Sequence, residues 1–287
     1  MQDLASNIKI LVQAAMMLAV LIAIFVPLEF VLPVRRGRVF TRVNLVNFFW
    51  YFLNALLVAM IMTPVALLIE EGLRAVLPWK LTHLGSFLPL WPRMAAAMVV
   101  GEIGFYWGHR WSHEWPWLWR FHAVHHSAEE LNFLVNTRAH PIDAVFTRLC
   151  GFVLLYATGL TSAAGQHPAL IPALVLLVGS GWSFLIHSNV RVRLGPFEEI
   201  LTSPAFHHWH HTYEDHKDRN FSAMVPFIDR VFGTFYLPKH WPDRYGTATK
   251  VPTDLVGQFY APFALRKSAQ DAARDVVSSD QASKLAN

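Results

Sequence analysis

Charge is what this sequence has least of. Asp, Glu, Lys and Arg make up 15% of its 287 residues, against about 25% in a typical soluble domain. Its mean hydropathy is +0.31. A chain so short of solvating groups falls in the membrane class before any motif is read. Cysteine is nearly absent too. Cys150 stands alone, which excludes an internal disulfide and any thiolate metal cluster. A metal held here must be held by nitrogen or oxygen. The chain also lacks a basic stripe interleaved with exposed aromatics. Its 24 Lys and Arg against 20 Asp and Glu fit cytoplasmic-loop arginines of a membrane protein better than nucleic-acid binding, so no nucleic-acid partner is expected.

What is present is a series of long apolar runs. They cover 9–33, 44–69, 87–108, 146–165 and 169–187, each of a length suited to a hydrocarbon core of about 30 Å. The first lacks a basic leader and is followed by Arg35, Arg36, Arg38 and Arg42, so it is expected to be retained as a span, not cleaved as a signal. The last two are joined by the short turn Gly165-Gln166-His167-Pro168, which implies an antiparallel helical hairpin. The fold class expected is all-α, a bundle of about four to five transmembrane spans. Three regions follow: N-terminal membrane helices over 1–86, a His-rich core over 87–245, and a C-terminal tail over 246–287 that is partly disordered.

The arginines at 35–42 place their loop in the cytoplasm by the positive-inside rule. Counting crossings from there returns the end of the third run and the end of the fifth to the same side. The polar segments 109–144 and 188–287 then lie together, and they hold three histidine boxes: His109-Arg-Trp-Ser-His113, His122-Ala-Val-His125-His126 and His207-His208-Trp-His210-His211. On a helix, positions i, i+3 and i+4 project from one face. Each box can therefore turn two or three imidazoles toward a common centre, and His187 closes the group from the end of the fifth run. Neutral imidazole binds Fe, Zn, Cu and Ni alike. His83 and His167 fall on the opposite side and are excluded as ligands. His216 and His240 carry no ligand pattern and are read as ordinary hydrogen-bonded histidines.

The motifs His109-x-x-x-His113, Leu118-Trp119-Arg120-Phe121-His122-x-x-His125-His126-Ser127, Arg138-x-His140-Pro141, His187-x-Asn189, Pro204-x-Phe206-His207-His208-x-His210-His211 and Asp229-Arg230-x-Phe232-Gly233-Thr234 resemble the fatty acid hydroxylase/sterol desaturase superfamily over about 95–238. The resemblance implies an integral-membrane, non-haem oxidoreductase with two iron ions and O2 as co-substrate. It implies His109, His113, His122, His125, His126, His187, His207, His210 and His211 as metal ligands. His208 would support the site from beside the ligands or lie at the surface, and His140 would support the site or serve structure in preference to ligating. Where some relatives carry a histidine, this chain has Ser183, which would leave one metal with fewer protein ligands. Glu102 and Asn189 are read either as partners that orient an imidazole N–H or as buried structural groups. Asp143, Asp229 and Asn220 share that ambiguity. Trp107, Trp111, Trp115, Trp117 and Trp119 are expected to form an interfacial belt.

The expected reaction is hydroxylation or desaturation of a membrane lipid, sterol-like, fatty-acyl or other. Electrons would come from a ferredoxin-, flavodoxin- or cytochrome b5-type protein with its reductase. Two rivals stand beside it. A zinc-dependent membrane lipid hydrolase would need about three protein ligands, fewer than the boxes offer. A non-catalytic metal-binding membrane protein would carry its ligands along the spans, which hold few ionisable groups before their cytoplasmic ends.

Overall fold

The computed structural model describes residues 4–37, 41–161, 170–213 and 216–264. The chain order is α1 (Leu4–Val31), α2 (Arg42–Val76), a short α3 (Trp79–Thr82), α4 (Leu90–Glu114), α5 (Pro116–His126), α6 (Pro141–Ala157), α7 (Leu170–His187), α8 (Pro204–His210), α9 (Phe227–Val231) and α10 (Leu255–Ala264). Extended pairing among the described residues is limited to two isolated bridges, Pro33 with Val190 and Thr212 with Tyr245.

Helix starts follow local chemistry. Pro116, Pro141 and Pro204 each open a helix, where the missing N–H is no loss and the fixed φ is already helical. Ser203 caps α8 through a bond from Phe206 N. His140 caps α6 by accepting from Ile142 N, a task given more often to Ser, Thr, Asp or Asn.

Three helices, α1, α2 and α7, are long and apolar enough to cross a membrane. Helices α4 and α6 occupy two further expected spans and fall short, for different reasons. Helix α4 carries Arg93, Glu102 and Arg110 within its length, and α6 is 17 residues long, ending at Ala157. The chain after α1 lies against the end of α7: Arg35 N donates to Asn189 Oδ1 at 3.1 Å, Asn189 Nδ2 donates to Arg35 O at 2.7 Å, and Val34 N donates to Asn189 O at 3.1 Å. At the other end Gly85 N donates to Thr158 O at 2.9 Å, so the turn holding His83 is remote from the boxes. His167 lies outside the described residues. Glu29, near the end of α1, accepts from Phe133 N at 2.7 Å and Asn189 N at 3.0 Å, tying the membrane helix to the polar half.

Of the expected tail, residues 255–264 form α10. Its Gln258 accepts from the buried Trp50 Nε1 at 2.6 Å, and Phe259 stacks on the same indole. Residues 265–287 lie outside the described residues.

Helices α4 and α6 meet through small residues. A Cβ at Gly104 would stand 2.3 Å from Cys150 O, a backbone atom of α6, and one at Gly151 would stand 2.9 Å from Gly101 O. Close backbone approach of this kind is how membrane helices gain packing without a hydrophobic drive. Gly104→Ala is therefore expected to push α4 and α6 apart and cost about 1–3 kcal/mol. Gly101→Ala, whose Cβ would meet Leu155 Cδ1 at 3.4 Å, should be near neutral. Equal thermal stability of the two variants would show that this contact does not set the helix spacing.

Candidate metal centre

The nine histidines expected as ligands are all buried and fall into two groups. His109, His113, His122, His126 and His210 form one; His125, His187, His207 and His211 form the other. Within each group the nitrogens that could bind a metal lie within 4.8 Å of one another. His109 and His113 come from the last turns of α4, His122, His125 and His126 from the end of α5, and His187 is the last residue of α7. His207 and His210 lie in α8, with His211 at its C-terminal cap.

Six Nδ1 atoms are fixed by acceptors that carry no proton. His109 Nδ1 donates to Phe221 O at 2.7 Å, His125 Nδ1 to Arg138 O at 3.1 Å, His187 Nδ1 to Ser183 O at 2.7 Å and His210 Nδ1 to Arg219 O at 2.8 Å. His113 Nδ1 meets Asp218 Oδ1 at 3.0 Å and His122 Nδ1 meets Asp143 Oδ2 at 2.9 Å. A carbonyl or carboxylate oxygen only accepts, so the proton sits on Nδ1 and Nε2 presents a lone pair. Burial, reinforced by neighbouring imidazoles, holds His113, His125, His126, His207, His210 and His211 well below the usual histidine range. They are therefore neutral, the form that binds metal.

The lone pairs face each other. His109 Nε2 and His122 Nε2 are 3.2 Å apart, and His125 Nε2 and His187 Nε2 are 3.1 Å apart. In both pairs each Nδ1 already holds the proton, so neither contact is a hydrogen bond, and two lone pairs at that distance repel without a cation between them. The buried Nε2 atoms of His113 and His210 have no hydrogen-bond partner among the described residues, as atoms aimed at a metal would not. Two nitrogens at about 2.1 Å from one metal and at right angles stand about 3.0 Å apart. The spacings of 3.1 Å for His122 with His126, 2.9 Å for His187 with His207 and 3.1 Å for His207 with His211 agree. The residues present fit a pair of imidazole-bound metals.

His208 and His140 have the opposite arrangement. His208 Nε2 donates to Ser188 O at 3.0 Å and its Nδ1 accepts from Tyr245 Oη at 2.7 Å. His140 Nε2 reaches Phe259 O at 3.2 Å while Nδ1 serves the α6 cap. Both nitrogens are occupied in each, so neither is poised to ligate. His208 is fully buried, which removes the surface reading. His216 packs on Tyr236 and His240 on Trp209, and neither joins a group.

Among the described residues the side chains of Glu102 and Asn189 bond to backbone and not to an imidazole, the structural one of the two readings open for them. Glu102 accepts from Met224 N at 2.6 Å, and Asn189 holds the chain after α1 as described above. Asp229 accepts from Phe221 N at 2.8 Å and Ser222 N at 2.9 Å. Asn220 has φ of +59°, a region that Asn tolerates better than most residues. It donates to Phe206 O at 2.9 Å and Tyr236 O at 2.7 Å and accepts from Tyr236 N at 2.7 Å. Residues 219 and 221 flank that turn, and their carbonyls anchor His210 and His109. Glu102, Asn220 and Asp229 thus hold the loop whose backbone orients two ligands. Asp143 alone of the ambiguous set meets a ligand directly, and Ser112 Oγ donates to its other oxygen at 3.1 Å.

Trp119 departs from the interfacial belt. Trp115 and Trp117 are exposed, but Trp119 is buried, with its ring centroid 5.1 Å from that of His113 and 5.6 Å from that of His126. Asp218 was not legible either: it stands in a polar stretch with no distinguishing neighbour. Carbonyl anchors leave no trace in residue type at all. Ser183, where some relatives would have a histidine, donates to Asn136 Oδ1 at 2.6 Å, and the group nearest it has four histidines against five in the other.

Comparison with known proteins matches residues 94–234 to the fatty acid hydroxylase family. An ornithine lipid hydroxylase of Rhizobium tropici is 32% identical over 183 residues, 61% of this chain and 52% of that protein. An alkylglycerol monooxygenase of Xenopus tropicalis is 29% identical over 153 residues, 53% of this chain and 32% of its own length. A methylsterol monooxygenase of Arabidopsis thaliana is 28% identical over 153 residues, 51% of this chain and 55% of its own. The chain thus spans about half or less of these relatives' lengths. No solved structure matches. The matched segment contains both histidine groups, and residues 94–234 form a domain of the fatty acid hydroxylase family.

Proposed function

We propose that this chain is a membrane-embedded lipid hydroxylase that uses two irons, O2 and an external electron donor. The observation that carries the reading is the pair of facing lone pairs, His109 with His122 and His125 with His187, each locked by its Nδ1 anchor. Two adjacent groups of imidazoles suit a two-metal oxidase better than a single-zinc hydrolase, which needs about three ligands. Iron in both groups supplies the redox chemistry by which O2 oxidises a C–H bond. The chain orients the ligands through Nδ1 and keeps the groups buried from water, supplying position and a dry site while the metal carries the hard chemistry. One oxygen atom enters the substrate; the other leaves as water with two electrons and two protons. Those electrons would come from a ferredoxin-, flavodoxin- or cytochrome b5-type protein with its reductase. The names of the relatives, hydroxylase and monooxygenase, favour hydroxylation over desaturation and a lipid as substrate.

Protein purified anaerobically with iron supplied should hold about two irons per chain, the number two separate ligand groups accommodate. Given reductant and labelled O2, it should place one labelled oxygen in a membrane lipid. One zinc per chain with lipid cleavage in the absence of O2 would establish the hydrolase instead.

The arginine-rich chain after α1 shares its end with the histidine groups, so the positive-inside rule puts those groups in the cytoplasm. A thiol reagent that cannot cross the membrane should label Gly37→Cys only in inverted vesicles and Leu84→Cys only in intact cells. The reverse pattern would invert the topology.

A further inference from the structure

A polar cleft of about 450 Å3 opens beside the histidine groups, lined by Arg35, Glu129, Tyr213, Arg244, Tyr245 and Lys250 among others. Its volume is that of a small-ligand site. Three cations there face one carboxylate. The two arginines are held in place by aromatic rings. The Arg35 guanidinium lies 4.1 Å over the Tyr245 ring, and that of Arg244 lies 4.4 Å over the Tyr213 ring. Arg35 also donates to Pro242 O. The two tyrosines belong to one backbone pairing, in which Tyr213 N donates to Arg244 O at 2.9 Å and Thr212 bridges to Tyr245. Gly246, with φ of +115°, turns the backbone past Tyr213. A guanidinium held over a ring still has edge N–H groups for a planar or tetrahedral anion. Arg35 follows the end of α1 by four residues, so one wall of the cleft stands at headgroup depth.

We propose that this cleft binds an anionic group, a phosphate or carboxylate, with a lipid headgroup at the bilayer surface as its source. The proposal is separate from the iron chemistry and stands or falls without it. The full chain in neutral detergent would be titrated with phosphatidylglycerol, phosphatidylcholine and inorganic phosphate, reading thermal stability. Phosphatidylglycerol should raise the melting temperature saturably and more than phosphatidylcholine, and phosphate should compete with it. Arg244→Gln and Lys250→Gln, both at exposed positions, should each weaken binding about tenfold. Arg74→Gln, at the far end of α2, should not. Binding of phosphate with no preference among the lipids would keep the anion site and make free phosphate its occupant. Unchanged binding of both anions in the Arg244→Gln/Lys250→Gln double variant would overturn the proposal. So would wild-type protein that binds neither anion while an acidic ferredoxin protects Lys250 from amine labelling, since the cleft would then serve a protein partner.

Discussion

Alanine at His122 should empty the five-histidine group while leaving the other filled, taking iron from about two to about one per chain and lowering lipid oxidation more than a hundredfold. Loss of a hydrogen bond to a ligand already costs about 10–100-fold in metal affinity or activity, and His122 is itself one of the converging groups. Its Nε2 lies 3.2 Å from that of His109 and 3.1 Å from that of His126. Its Nδ1 is paired with the buried Asp143, so the variant also strands a carboxylate, which burial penalises. His207→Ala should empty the four-histidine group in the same way. His208→Ala is the informative contrast. It neighbours His207 in the same box, yet its Nε2 donates to Ser188 O, so iron should stay at about two per chain while thermal stability falls. Equal iron loss at His207 and His208 would sink the assignment of the groups.

The division into two groups follows a rule that the spacing alone contains. Each i, i+4 pair stays together: His109 with His113 and His122 with His126 in one group, His207 with His211 in the other. The residue at i+3 crosses over, His125 from its box and His210 from its own. Adjacent helical positions differ by about 100°, so neighbours such as His125 and His126, or His210 and His211, face different centres. The boxes were legible as chelating units, and the apolar runs were legible as the helices α1, α2, α4, α6 and α7. The anchors were not, because four of the six are backbone carbonyls, whose position depends on tertiary structure and not on residue type. The same limit applies to Glu102, for which the sequence left open an imidazole two turns on or a buried structural role, and which meets a loop 122 residues away. Trp119 was misplaced because its Trp-rich neighbourhood signals an interface, while its own helical phase turns it onto His113 and His126.

Asp229→Ala should loosen iron from the five-histidine group without touching a histidine. The carboxylate accepts from Phe221 N and Ser222 N, and from Thr234 Oγ1 at 2.7 Å. Removing it leaves two buried backbone donors without partners, at about 1–3 kcal/mol each. It also frees Phe221 O, the acceptor that keeps the His109 proton on Nδ1. Iron affinity of that group should fall about 10–100-fold, while the group of His125, His187, His207 and His211, anchored through Arg138 O and Ser183 O, should keep its iron. Chelator challenge separates this from general unfolding: one iron per chain should leave early and the other at the wild-type rate. Asp229→Asn keeps one acceptor oxygen and should recover part of the difference. Simultaneous loss of both irons in Asp229→Ala would mean that the carboxylate supports the fold as a whole, and that the loop at 219–225 does not act on one metal through the carbonyl of Phe221.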